Sequence, residues 1–228
     1  MRKIVFFGKT SIGQRLKVMM ERDSNMVVES FCVTSDYYSK GDSFCGRPVV
    51  CFDDLPKLYG KDNFEVYMTI RFGNMNQNRD KAFKLCEQRG YNIGNYIHSS
   101  SKNYSSKMGR GNIIFPNVYI CDFSEIGNGN VITFNSLISF NSKIGDFNWL
   151  VNISVAGHTT IGNNCFMGNS SGSNHSVNIG NNNLISAGVI VTKNTKDNTV
   201  ILPNKNIVLK DIDVDLMDAL LRKSFKIL

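Results

Sequence analysis

The sequence predicts an α/β domain followed by a parallel β-solenoid and a short closing helix. Three observations carry that prediction. The first is a repeat of six: Met108, Ile114, Ile120, Ile126, Ile132, Ile138, Ile144 and Leu150 are evenly spaced. After one step of five to Val155 the count resumes at Ile161, Met167, Ser173, Ile179, Ile185 and Val191. The second is a small residue directly after many of these positions, at Gly109, Gly127, Gly145, Gly162, Gly168 and Gly180. A helix of 3.6 residues per turn cannot keep a period of six on one face, and dense Asn and Gly disfavour it further. A β-solenoid can, because three short strands make a coil and each repeated aliphatic points into a shared core. The Ile-Gly pairs at 126, 144, 161 and 179 lie 18, 17 and 18 residues apart, so three hexads make one coil and fifteen make five. The third is an alternation, before residue 98, of apolar runs with helical spacing.

In chain order, IVFF (4–7) is a first strand ending at Gly8, and Ile12, Leu16, Met19 and Met20 give 12–22 helical spacing. MVVESFCV (26–33) and EVYMTI (65–70) are further strands, 76–90 is a helix stopped by Gly90, and YNIGNYI (91–97) returns as a strand. This β-α-β pattern implies a parallel, Rossmann-like sheet over 1–97, with ligands at the carboxyl ends of its strands. The first turn, GKTSIG, is not a P-loop, since Gln14 stands where Lys is needed, and is not GxGxxG. It remains a strand-to-helix turn suited to a phosphate. Polar, aperiodic HSSSKNYSSK (98–107) leads into the solenoid (98–209), and His98 reads as structural. DVDLMDALLRKSF (213–225) is an amphipathic helix within 210–228 that caps the exposed strand edge.

Composition narrows the function. No run approaches the ~20 apolar residues of a membrane span, and the N-terminus reads as a buried strand rather than a signal peptide. Six cysteines without a CxxC pair read as reduced thiols of a cytoplasmic protein, with no metal site expected. The net charge of +7 comes without an arginine-rich stripe, which argues against nucleic acid and suits small phosphorylated ligands.

Coils stack at ~4.8 Å, so residues at one offset from successive Ile-Gly pairs lie above one another. Three before Ile144 is Asn141, three before Ile161 is His158, and four before Ile179 is His175. Two of the three histidines therefore meet at one corner, with His158 stacked on Asn141 and His175 beside that column.

The hexads IGNGNV, IGDFNW, IGNNCF and IGNNNL, behind a small α/β domain, resemble the PglD/NeuD-like sugar acyltransferases of the hexapeptide-repeat superfamily. The resemblance covers almost the whole chain and implies a left-handed parallel β-helix and a homotrimer. It implies N-acyl transfer, most simply from acetyl-CoA, to a UDP- or dTDP-linked amino sugar for surface glycan (O-antigen) synthesis. O-acetylation of a sugar such as sialic acid, or a non-catalytic binding module, stand as alternatives. In the related enzymes a histidine three or four residues before an Ile-Gly pair is the general base. Phe140 and Asn141 hold that place here, so either His158, in GHTTIG, acts as base from the adjacent coil, or the transfer is substrate-assisted. The first turn would hold the acceptor's nucleotide, making Gly8, Thr10 and Gly13 candidates. The FGNMNQNR stretch resembles a substrate-side loop, adding Gly73, Asn74, Asn76 and Arg79. The alternative has Asn76 capping the helix and Arg79 solvated in its first turn. Asn141 and His175 complete the acceptor candidates. Gly168, Ser186, Ala187 and Gly188 would cradle the pantetheine, with Lys193 near a phosphate. PNK at 203–205 resembles the Pro-Ala-Lys motif that closes many such solenoids.

Overall fold

The computed structural model describes residues 3–24 and 26–203; the expected C-terminal helix and most of the PNK motif lie outside them. The first domain runs β1 (Lys3–Phe7), α1 (Ser11–Asp23), β2 (Val28–Val33), β3 (Ser43–Phe44), β4 (Arg47–Cys51), α2 (Leu55–Tyr59), β5 (Phe64–Met68) and α3 (Gln77–Gln88). Its sheet has the order β3-β4-β2-β1-β5, parallel except for the β3–β4 hairpin. The apolar runs form the central strands because both sheet faces are covered. One side of β1 packs with Ile12, Leu16 and Met20 of α1, and the other with Phe52, Ala82 and Phe83. Thr10 caps α1 by accepting from the Gly13 N–H at 3.4 Å.

One expected strand is corrected. The stretch 91–97 does not rejoin this sheet as a unit. Ile93 makes a single bridge to Val66, while Tyr96–Ile97 pairs with Ile113–Ile114 of the solenoid. The segment hands the chain from one domain to the other, and its two ends answer to different sheets.

The solenoid is a three-faced parallel β-helix. Every one of the fifteen six-spaced positions is the second residue of a two-residue strand with an inward side chain. The first face stacks seven strands, from Tyr96–Ile97 to Val200–Ile201; the second stacks six, from Lys102–Asn103 to Ile190–Val191; the third stacks five, from Lys107–Met108 to Asn178–Ile179. The step of five before Val155 shortens one turn without shifting the ladder, since Leu137 still opposes Ser154.

The turns explain the asparagines. Asn117, Asn135, Asn152, Asn164 and Asn182 are left-handed (φ from 45° to 58°), a conformation that Asn tolerates better than most residues. A second set forms ladders. Asn112, Asn130 and Asn148 each accept, through Oδ1, the backbone N–H one coil further on, at 2.7–2.9 Å. The Asn112 and Asn130 amides also donate to Gly127 and Gly145 carbonyls. This ladder stops at Cys165, whose thiol bonds the Gly180 carbonyl at 3.1 Å.

The two domains share core. Ile113, Val131 and Trp149, outward on the first face, cluster with Ile4, Leu16 and Tyr96, and Phe147 packs edge-on against Phe83 of α3 at 5.3 Å. Asp23, at the end of α1, receives Ser99 N–H, the Ser99 hydroxyl and the Tyr96 hydroxyl, with His98 Nε2 at 3.5 Å. His98 therefore belongs to this hinge between helix and solenoid.

Candidate functional site

The corner between the second and third faces gathers the histidines. Asn141, His158 and Ser176 occupy equivalent left-handed turn positions (φ 53°, 57° and 59°), each two residues before a third-face strand. His158 and Asn141 thus share a column as expected. Ser176 continues it, because His175 lies one residue earlier in its turn. The residue equivalent to His175 one coil down is Gly157, where a Cβ would meet the Phe140 ring at 3.1 Å. The missing side chain lets three rings meet: Phe140 stands edge-on to His158 at 5.2 Å between centroids, and His158 lies 5.0 Å from His175. His175 is therefore in direct contact with His158 rather than merely beside the column. All three rings are exposed. His175 Nδ1 bonds the Ser176 hydroxyl at 2.8 Å, which fixes its ring. His158 has no side-chain hydrogen bond among the described residues, so its ring nitrogens are open to a ligand.

In the first domain, a crevice of about 600 Å³ opens at the carboxyl ends of β1 and β2. Gly8, Lys9, Thr10, Thr34, Tyr37 and Lys81 line it. Gly8 adopts φ 108° to make the turn. The Thr10 hydroxyl donates to the Thr69 carbonyl, bracing the turn on β5. Gly13 does not reach the crevice. It lies on the buried, sheet-facing side of α1, where a Cβ would meet the Phe31 ring at 3.0 Å, so its smallness serves helix–sheet packing.

The FGNMNQNR stretch divides sharply. Gly73 and Asn74 are exposed, with Asn74 bonded to Gln77 at 3.1 Å. Asn76 and Arg79 are fully buried, contrary to both expectations for them. Asn76 stands at the N-cap position of α3, but its side chain makes no capping bond; its amide donates instead to the Cys165 carbonyl at 3.1 Å. Arg79 is not solvated; its Nε and Nη2 donate to the Gly129 and Asn148 carbonyls at 2.9 and 3.0 Å, with the guanidinium over the Trp149 ring. Burial pulls its pKa down to about 9. A surface ligand cannot reach either side chain; they fasten α3 to the solenoid.

Among the cofactor candidates, Gly168, Ser186, Ala187 and Gly188 lie at the corner between the first and second faces, the opposite edge of the second face from His158. Gly168 is buried, and a Cβ there would strike Ala187 N at 2.6 Å, so its smallness answers to the next coil rather than to a ligand. Ala187 and Gly188 are exposed and leave a smooth surface. Lys193 follows the strand Ile190–Val191 on the histidine side. Within the chain, therefore, Gly168, Ser186, Ala187 and Gly188 do not come to His158, whereas Lys193 lies at its corner.

The sequence reading missed a second hollow, of about 340 Å³, on the other side of the β1–α1 turn. Ser11, Arg15, Arg71 and Phe72 face Phe134 and Trp149 across it. Its only advance signal was an arginine and an aromatic placed directly after β5, at a strand end where ligands gather.

Comparisons with known proteins agree with this architecture. Residues 158–193 match the family model described as hexapeptide repeat of succinyl-transferase. No curated protein sequence matches the chain. Among solved structures, a histidine-to-alanine variant of GDP-perosamine N-acetyltransferase from Caulobacter crescentus, in complex with CoA and GDP-perosamine, is 21% identical with a TM-score of 0.76, over 87% of this chain and 92% of that one. The acetyltransferase domain of PglB from Neisseria gonorrhoeae, in complex with acetyl coenzyme A, is 16% identical with a TM-score of 0.76, over 90% and 99%. WeeI from Acinetobacter baumannii is 18% identical with a TM-score of 0.72, over 92% and 100%. The likeness spans both domains, so the chain has the fold of these proteins.

Proposed function

We propose that the protein is an acetyl-CoA-dependent N-acetyltransferase of the PglD/NeuD-like kind, acting on a nucleotide-linked amino sugar in surface glycan synthesis. In this reading the solenoid is left-handed, the first domain is a Rossmann-like nucleotide binder, and the protein works in the cytoplasm. The observation that carries it is the joint likeness of both domains, in this order, to a protein holding CoA and a nucleotide amino sugar together. That neighbour's GDP widens the expected choice of nucleotide beyond UDP and dTDP.

The nucleotide lies in the crevice at Gly8 and Thr10, where the turn and the free ammonium of Lys81 suit a diphosphate. The acetyl donor is held along the small surface of Ala187 and Gly188. Because that corner and the histidine corner flank opposite edges of the second face, the complete site forms between copies, in a homotrimer. The outward Tyr119, Leu137 and Ile190 of the second face, 44%, 38% and 51% exposed, give it the apolar character of a surface that meets another copy.

Acetyl-CoA supplies the acyl group as a thioester. The amine forms its bond to the thioester carbonyl carbon, the C–S bond breaks, and the amine's surplus proton goes to His158, whose nitrogens have no competing partner. His175, held by Ser176, braces that ring. Phe140, in the place of the relatives' base, supplies an apolar wall and no proton acceptor.

Incubation with acetyl-CoA and a panel of GDP-, UDP- and dTDP-linked amino sugars, read by thiol release and product mass, tests the proposal. One amino sugar gains an acetyl group while its hydroxyl analogue does not. Transfer to hydroxyl sugars alone, or to none with acetyl-CoA failing to bind, refutes it.

A further inference from the structure

The hollow beyond the β1–α1 turn differs from the nucleotide crevice in what lines it. Arg15 of α1 and Arg71 after β5 both reach it, and no carboxylate is among its lining residues. Other arginines of the first domain and the junction find acids: Arg47 with Glu21, Arg89 with Asp53, Arg110 with Glu87. Among the described residues Arg15 and Arg71 have no such partner, and both are exposed. The Arg71 guanidinium rests over the Phe72 ring at 5.4 Å. Phe72 is in turn held edge-on by Trp149 at 5.2 Å and at a tilt by Phe166 at 5.1 Å. Two cations are thus presented in a concave wall of aromatic rings, where each offers charge-assisted hydrogen bonds to an anion. Thr10 lines the crevice and Ser11 lines the hollow, so a ligand seated in the first passes over the turn directly into the second.

We infer that Arg15 and Arg71 form an anion-binding subsite for the acceptor, taking either a carboxylate on its sugar or the phosphate next to that sugar. The inference rests on the reading of the first domain as a nucleotide-sugar binder. Paired guanidinium groups suit both anions, because each offers a planar fork to two oxygens. The aromatic floor suits the apolar face of a sugar ring lying beside that charge.

Trp149, the only tryptophan in the chain, lies in the wall of the hollow, so its fluorescence reports occupancy directly. Inorganic pyrophosphate, UDP-glucose and UDP-glucuronic acid are titrated into the wild type and the Arg15→Gln/Arg71→Gln double variant, with calorimetry in parallel. If the sugar carboxylate is the anion, UDP-glucuronic acid binds the wild type about tenfold tighter than UDP-glucose, and the double variant loses that margin. If the phosphate is the anion, the double variant weakens both sugar nucleotides equally, by about tenfold. Unchanged affinities in the double variant overturn the subsite. Arginine-dependent binding of pyrophosphate, with neither UDP-sugar nor any GDP- or dTDP-linked sugar bound, retains the subsite and refutes the nucleotide-sugar reading. No binding of any probe refutes both.

Discussion

Arg79 and Arg71 stand on the same loop-and-helix stretch, and the ring of Trp149 separates their surroundings. On one side, Arg79 is sealed between α3 and the solenoid, its charge spent on two backbone carbonyls. On the other, Arg71 faces an open hollow with no acid in its wall. Both regions are built from arginine and aromatic rings, yet one is a fastening and the other is a receptor. What separates them is whether the protein itself supplies the acceptors. Arg79 gives two of its nitrogens to protein carbonyls, although its Nη1 finds no partner among the described residues, so it reports on stability, whereas Arg71 is left to report on binding.

The largest effect that breaks this contrast is expected at Arg79. Arg79→Met keeps much of the volume but leaves the Gly129 carbonyl buried without a donor, at about 1–3 kcal/mol, and takes from the Asn148 carbonyl one of its two donors, the Val131 N–H remaining. Chemical denaturation should show a loss of about 2 kcal/mol or more; a loss under 1 kcal/mol would mean that the junction is not the fastening described.

Asp23 extends the sealed side. Burial alone would raise its pKa, but the Ser99 and Tyr96 donors, with His98 nearby, together hold it below the ordinary carboxylate range. A depressed folded pKa contributes stability that is present above the unfolded value, about 4, and is lost as pH falls through the folded value. Melting temperature should therefore drop with acid below about pH 4, and Asp23→Asn should flatten that limb. An equally steep limb in the variant would show that other carboxylates control it.

Cys165 interrupts the inner ladder beside the junction. Cys165→Asn should let the new side chain accept the Asn183 N–H and donate to the Gly180 carbonyl, repeating the pattern of Asn130. The gain expected by thermal or urea unfolding is about 0.5–1 kcal/mol; a loss would mean that the coil fits sulfur better than an amide. The smallest effect sharpens the comparison from the open side. Arg15→Gln and Arg71→Gln should each change stability by less than about 0.5 kcal/mol, as surface substitutions do. A larger loss would show that the hollow is also part of the fastening.

The solenoid was legible because every coil poses the same problem and solves it with the same residue types. Thus Ile126, Ile144, Ile161 and Ile179 fix the third face from spacing alone. The column of Asn141 and His158 followed from that spacing too. The contact of His175 with His158 did not, because it depends on the space left by Gly157, a local event that no period records. The first domain offered single events throughout. Asn76 and Arg79 read as a polar helix start, and nothing in FGNMNQNR says that their acceptors lie on Cys165, Gly129 and Asn148, far along the chain. Gly13 resembled a phosphate-turn glycine but answers to the Phe31 ring. Arg15 and Arg71 escaped notice because only folding places them on one hollow.

The central claim is that His158 receives the proton of an acceptor amine at a site completed between copies. The most direct measurement is the pH dependence of kcat for wild type and His158→Asn, with acetyl-CoA and the amino sugar found in the panel. The account predicts that the variant still binds both substrates, that kcat falls by about 10²–10⁴, and that the acid limb of the profile disappears. A variant with nearly full kcat and an unchanged profile would contradict it, and would leave the transfer to the substrate's own groups.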